Sequence, residues 1–518
     1  MSRKATMPTR RTVLTSAALS SATFAALAAC SSATDGDAGG SDGGETSTTV
    51  NVAIPDEVTT LDPIMQQVLT VNRALFEGLT QIDADGEVSP LLASEWASNA
   101  DATEWTFTLA EGATFSDGTP VAVSDVIWTY QTTKDSTESP NASYLGSVAT
   151  MTDGGNGTLV IALGSAFAAF PRQLSLISIL PQAAYEAAGA DAFASAPVGS
   201  GPYTVESWRS GSPLELVANA KWWGGTPAFA TATITTVPDE AARLNALQSG
   251  EIDAVTLAAN QVEVAKRDSN LAVESTDSNL VAYLGFNVTA PGLDQLALRQ
   301  AIDLAIDRDS ITAQLLGGLA SPIGQLVSSV TEGYADAVEP TAYDPDAAKQ
   351  LVASSGYDGT AITFEYPTDG TIPQSAEVAQ AIQSYLQEVG ITVEMRGTDN
   401  QTVTTDWLAK SMTGMYMFSF KPSTLDAGLV VSLLYGPTGK GYASDATIDG
   451  LVAAQQAEAD ETARAADFEQ IWKTSQEQAY YAPLFSDTWT YGWRKEAVTV
   501  TPRADGYLLF IDMEPASA

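Results

Sequence analysis

The chain has 518 residues, with 63 acidic against 24 basic and a formal charge of −39; so acidic a surface repels phosphate backbones and anionic headgroups, and nucleic acid is not an expected partner. It has no histidine and one cysteine, Cys30, which removes Ser-His-Asp and Cys-His catalysis, HExxH zinc sites, imidazole switching, intramolecular disulfides and CxxC redox or metal sites. A 45% hydrophobic content and a length beyond that of one growing core predict a globular protein with two large lobes.

Residues 1–30 predict an export signal. Arg3, Lys4, Arg10 and Arg11 precede the small and apolar run 13–29, and no acidic residue interrupts them. The run contains Thr15, Ser16, Ser20, Ser21 and Thr23, which makes it too weakly apolar for a permanent membrane span. Thr9-Arg10-Arg11-Thr12-Val13-Leu14 resembles the twin-arginine export motif, with general secretion as the other route. Leu27-Ala28-Ala29-Cys30 resembles a bacterial lipobox, which implies that Cys30 is acylated and becomes the mature N-terminus. Each buried methylene of such a lipid contributes about 0.8 kcal/mol, enough to anchor the chain to the outer face of the cytoplasmic membrane. Residues 31–48, rich in Gly, Ser, Thr and Asp, predict a flexible tether.

Beyond the tether, Val50, Val52 and Ile54 alternate as in a strand that ends at Pro55-Asp56. Trp105, Phe107 and Leu109 repeat the pattern, and Ser116-Asp117-Gly118-Thr119-Pro120 supplies a turn. Ser124 is the expected cap of a helix carrying Val126, Ile127 and Tyr130. Asp239 is the expected cap of a helix through Leu244 and Leu247, with Gly250 as its left-handed stop and a strand at 252–255. Leu298, Ala301, Ile302, Ala305 and Ile306 share one helical face. Val378, Ile382, Tyr385, Leu386 and Val389 share another, stopped at Gly390 before the alternating Ile391, Val393 and Met395. Such units build an α/β protein, and no low-complexity linker divides residues 49–518.

The order of short motifs along residues 50–515 closely resembles the bacterial extracellular solute-binding protein family 5, the oligopeptide, dipeptide and nickel-binding type of ABC importers. The matching segments are Leu61-Asp62-Pro63, Leu75-Phe76-Glu77-Gly78-Leu79, Pro90 to Trp96, Phe115 to Val121, Pro197 to Tyr203, Ser249 to Asp253, Leu284 to Asn287, Leu298 to Ile302 and Tyr343 to Lys349. Gly199, Gly201 and Gly250 are expected to permit turns closed to bulkier residues, and Arg299 to sit on a surface helix in a salt bridge. The resemblance implies an α/β, two-lobed periplasmic-binding-protein-like hinge fold (class II, cluster C type) with mixed sheets in each lobe. Lobe I is expected at 49–282 with an inserted subdomain, lobe II at 283–484, and a return to lobe I at 485–518. Crossings are expected near 281–286 and 483–486.

The same resemblance implies a binding protein and not an enzyme: a monomer without cofactor or metal, which takes a small solute between its lobes and hands it to ABC permease subunits. In peptide-binding members an Asp at the end of a second-lobe strand holds the peptide ammonium; here Lys421 falls in that register, a charge reversal that would favour an anionic solute. Lys421 facing solvent, with Asp426 as the replacement anion, is the alternative. Further candidate contacts are Thr60 in the first loop, Asn260, Tyr283 at the first crossing, Trp407, Phe418, Phe420, and Trp489 and Tyr491 on the return crossing, since aromatic faces stack on many solutes. The segment 436–441 (GPTGKG) lacks the spacing and hydroxyl residue of a phosphate loop and reads as a turn. The competing functions are a secreted carboxylate-dependent hydrolase, such as a glycosidase, and a surface ligand sensor.

Overall fold

The computed structural model describes residues 48–436 and 438–517; the export signal, Cys30 and all but the last residue of the tether lie outside the described residues. Among the described residues no helix is long and apolar enough to cross a membrane.

Two long strands organise the molecule. Leu271–Phe286 and Tyr481–Arg494 run antiparallel at the centre of one eleven-stranded mixed sheet. On one side the sheet continues through Met415–Phe420, Ile362–Pro367 and Val393–Thr398. On the other it continues through Ala254–Leu257, Thr49–Ile54, Thr231–Thr236, Leu214–Ala218 and Tyr203–Ser207. The ladder between the two long strands breaks once: Asp277 pairs with Thr488 and Val281 with Ser486, so residues 278–280 bulge opposite Asp487. Such an irregularity bends and twists a strand pair, and it falls where the chain passes from one lobe to the other. It lies immediately before the expected 281–286 crossing and immediately after the expected 483–486 crossing.

The cores divide at the same place. One is built from both chain ends, with Val50, Val52, Phe76, Leu216 and Ile234 meeting Tyr491, Trp493, Val498 and Phe510. Another is built from the middle of the chain, with Leu284, Leu298, Ile302, Phe364, Val378, Ile382 and Leu386. A third belongs to a separate four-stranded sheet, Ala93–Ser98, Glu104–Leu109, Thr158–Leu163 and Val148–Gly155, closed by the helix Val123–Asp135. The alternation read along the chain explains these placements, since every second side chain of Glu104–Leu109 is buried.

Most local expectations hold, with three corrections. Asp239 accepts the Ala242 N–H at 2.7 Å and Gly250 closes that helix at φ 79°, but the following strand is Ala254–Leu257. Ser124 is not a cap: it lies inside Val123–Asp135, and the Asp125 carboxylate reaches back to the Ala122 N–H at 3.0 Å. Gly199 and Gly201 are required by packing and not by a turn. A Cβ at either would come within 2.0 and 2.6 Å of the Leu75 backbone, far inside van der Waals contact. Arg299 is buried, not a surface ion-pair residue; its guanidinium donates to the carbonyls of Ala479, Leu293 and Gln478 at 2.9, 2.7 and 2.8 Å and ties its helix to the chain before the return strand.

Candidate functional site

The two lobes meet across a gap floored by the crossover pair. Lys421 follows the strand Met415–Phe420 of the second lobe, and its ammonium lies over the Trp489 ring of the return strand, 4.2 Å from the centroid. The indole packs against Gly506, where a Cβ would intrude to 2.5 Å, so a bulkier residue there would push the ring off the lysine. Lys421 keeps surface open to water while protein surrounds it, the situation of a charge in a cleft. Burial lowers its pKa, opposed by Asp505, Asp56 and Asp487. Asp487 occupies the break in the strand ladder; burial pushes its carboxyl up to about 6, against a backbone hydrogen bond at Thr488 and the attraction of Lys421. Tyr507, half-buried, faces the same carboxylates, Asp505 and Asp56. The cleft thus sets one lysine among three acids, so the charge reversal at Lys421 does not make the site cationic.

The other sequence candidates separate into groups. Tyr283, Trp407, Phe418 and Phe420 come together: Phe420 stacks on Tyr283 at 5.7 Å between centroids and Phe418 on Trp407 at 5.3 Å. Tyr283, Trp407 and Phe418 are buried in the second-lobe core, leaving half-buried Phe420 next to Lys421. Tyr491 is also buried, with its hydroxyl on the Arg503 carbonyl at 2.8 Å. These aromatic residues fill the interior because packing against neighbours outweighs exposure to a water-filled gap. Thr60 caps its own loop, accepting the Asp62 N–H at 3.1 Å, and Asn260 is exposed at the start of the helix Ala259–Ala265. Neither joins the Lys421 group in any recorded contact.

Asp426 is not a free anion. Only 2% exposed, it accepts the Arg464 guanidinium at 2.7 and 2.9 Å and the Gly428 N–H at 2.7 Å. Arg464 also donates to Glu332 at 2.6 Å, and the other oxygen of Glu332 receives Arg172 from the opposite lobe at 2.6 Å. Burial would lower the Arg464 pKa, yet Asp426 and Glu332 raise it above its ordinary value. Arg172 is held on its own side by the Gly86 carbonyl at 2.7 Å and by Glu87 at 3.3 Å. Beside this ion chain, Ile82 and Ala504 pack on Leu425 and Val330 across the gap, the Ala168 N–H donates to the Gln456 carbonyl at 2.9 Å, and Asn279 donates to the Pro422 carbonyl at 3.0 Å. Sequence reasoning missed Arg172, Glu332 and Arg464, because nothing in their local patterns marks residues that meet only when distant segments fold together.

The comparisons agree with this architecture. The profile of the bacterial extracellular solute-binding proteins, family 5 (middle), matches residues 87–442. Protein XP55 of Streptomyces lividans is 30% identical over 421 residues, covering 77% of this chain and 76% of that protein. The unliganded open form of MppA, a periplasmic murein tripeptide binding protein, superposes with a TM-score of 0.80 at 23% identity, covering 91% of this chain and 98% of its own. NikA from Brucella suis, in complex with Fe(III)-EDTA, gives 0.78 at 24% identity, covering 90% and 99%. With two lobes, paired crossover strands and a cleft between them, and with the profile matching more than half of its length, the chain belongs to the bacterial extracellular solute-binding proteins of family 5.

Proposed function

We propose that the chain is the ligand-capturing lipoprotein of an ABC importer, anchored through Cys30 to the outer face of the cytoplasmic membrane. It takes a small peptide-like solute between residues 49–282 with 485–518 on one side and 283–484 on the other, and delivers it unaltered to the permease. The observation that carries this reading is the Lys421 ammonium seated over the Trp489 ring, since the two side chains come from opposite sides of the gap and a bound molecule would touch both. Contacts made with both lobes exist only when they are together, so binding shifts the hinge equilibrium toward closure and gives the permease a shape to recognise. The neighbours' named ligands, a murein tripeptide and a chelate, are small and carry carboxylates. Lys421, Trp489, Phe420, Asp487 and Tyr507 are the proposed lining; without histidine, a metal ion would have no imidazole ligand from this chain.

Mass spectrometry of whatever copurifies, followed by calorimetric titration of stripped protein with that compound, tests the proposal. One solute per chain, recovered intact, supports it. Conversion of the compound by the protein would move the chain to the hydrolases.

A further inference from the structure

Arg73 stands out among the buried charges. It sits in the last turn of the helix Leu69–Leu75, and one terminal nitrogen donates to the Ser175 carbonyl. The other, Nη1, is buried and has no hydrogen-bond partner. The carboxylates that act on it from a distance are committed elsewhere: Glu77 accepts the indole N–H groups of Trp222 and Trp223 at 3.0 and 2.7 Å, and Asp505 accepts Arg503 at 2.9 and 2.6 Å. Burial, reinforced by the like charge of Arg503, pulls the Arg73 pKa down to about 10, as expected for a cation without a close anion. A buried guanidinium with an unused donor is costly unless something fills the vacancy.

The place it lines is a cavity of about 20 Å³ between Arg73, Gln81, Arg503, Asp505 and Tyr507 on one lobe and Ser423 on the other. Ser423 lies two residues beyond Lys421, so this cavity continues the cleft. Its volume admits little more than one water-sized group, which suits a planar carboxylate and is too small for a tetrahedral phosphoryl group. A guanidinium fork matches the two oxygens of a carboxylate.

We infer that Arg73 is the anchor for a carboxylate of the bound solute, enclosed when Ser423 closes over it from the second lobe. The inference rests on the receptor reading above and deepens it by assigning the solute an acid group and that group a position.

Acetate serves as a minimal probe that does not require the natural solute. Stripped full-length protein is melted in rising acetate, with acetamide and with chloride at matched ionic strength as controls. Acetate at about ten times its dissociation constant should raise the wild-type Tm by roughly 1 °C, while acetamide and chloride do not. Arg73→Gln should abolish the acetate response. Ser423→Leu, which fills the cavity from the far side and leaves the arginine in place, should abolish it as well, and serves if the first variant does not fold. A wild-type protein indifferent to acetate, or an undiminished response in folded Arg73→Gln, would overturn the assignment. The two readings fail separately: closure by the copurified solute without an acetate response sinks only the Arg73 anchor, whereas an Arg73-dependent acetate response without any solute-driven closure sinks the receptor reading.

Discussion

Replacing Arg172 by methionine removes the guanidinium that reaches across the gap to Glu332 at 2.6 Å. Glu332 keeps Arg464, and Arg464 keeps Asp426, so the second lobe's own ion pairs survive. The bonds of Arg172 to Gly86 and Glu87 are internal to the first lobe and are lost equally from open and closed forms. What differs between the forms is one charge-assisted hydrogen bond with an arginine side chain 5% exposed and a glutamate 28% exposed. Bonds of this type contribute about 1.5–3 kcal/mol, so closure should weaken by roughly 10- to 150-fold. If closure and binding are coupled, the Kd for the natural solute rises by the same factor, read by calorimetry, and the radius of gyration at fixed subsaturating solute shifts toward the open value, read by small-angle scattering. Glu87→Gln, altering a partner on the same lobe, should leave both unchanged. An Arg172→Met protein that binds and closes like wild type would refute the idea that the ion chain holds the lobes together.

Three further predictions bear on the cleft and the anchor. Lys421→Ala should change the Kd for the copurified solute several-fold; unchanged affinity would remove Lys421 from the binding surface. Asp487→Asn should raise stability at pH 7 by about 1–3 kcal/mol, measured by denaturant unfolding. The sign follows from a folded pKa near 6 against an unfolded value near 3.8. The folded state holds the proton more tightly, so wild-type stability falls as pH rises between those values, and the variant's advantage should vanish below about pH 4. A pH-independent difference would contradict the placement of this carboxylate in a poorly hydrated cleft. Cys30→Ser should leave the protein unacylated and move it from the membrane to the soluble exported fraction on cell fractionation; continued membrane retention would remove the lipid-anchor assignment.

The fold was legible from the sequence to the extent that its signals were local. Alternation at Val50 to Ile54 and the helical face from Val378 to Leu386 each report directly which side is buried, and Asp239 with Gly250 marks both ends of one helix. The site was legible only in part. Lys421 and Trp489 were picked out for their position and do meet, whereas Tyr283, Trp407 and Tyr491 have the same composition signal and are buried. An aromatic residue reads identically in a string whether it lines a cleft or fills a core. Asp426 shows the same limit for charge: its partner Arg464 lies on a helix 38 residues away, and no local pattern connects them. The single continuous sheet was also hidden, because the pairing of Leu271–Phe286 with Tyr481–Arg494 is set by tertiary packing.

The central claim is that two hinged lobes close on a small molecule and release it chemically unchanged. Its most direct test is small-angle scattering of stripped protein titrated with the copurified compound, with the compound recovered and weighed by mass spectrometry afterwards. The account predicts a smaller radius of gyration that saturates at one solute per chain, and a recovered mass identical to the mass added. A scattering curve that does not respond, together with a product of altered mass, would contradict it.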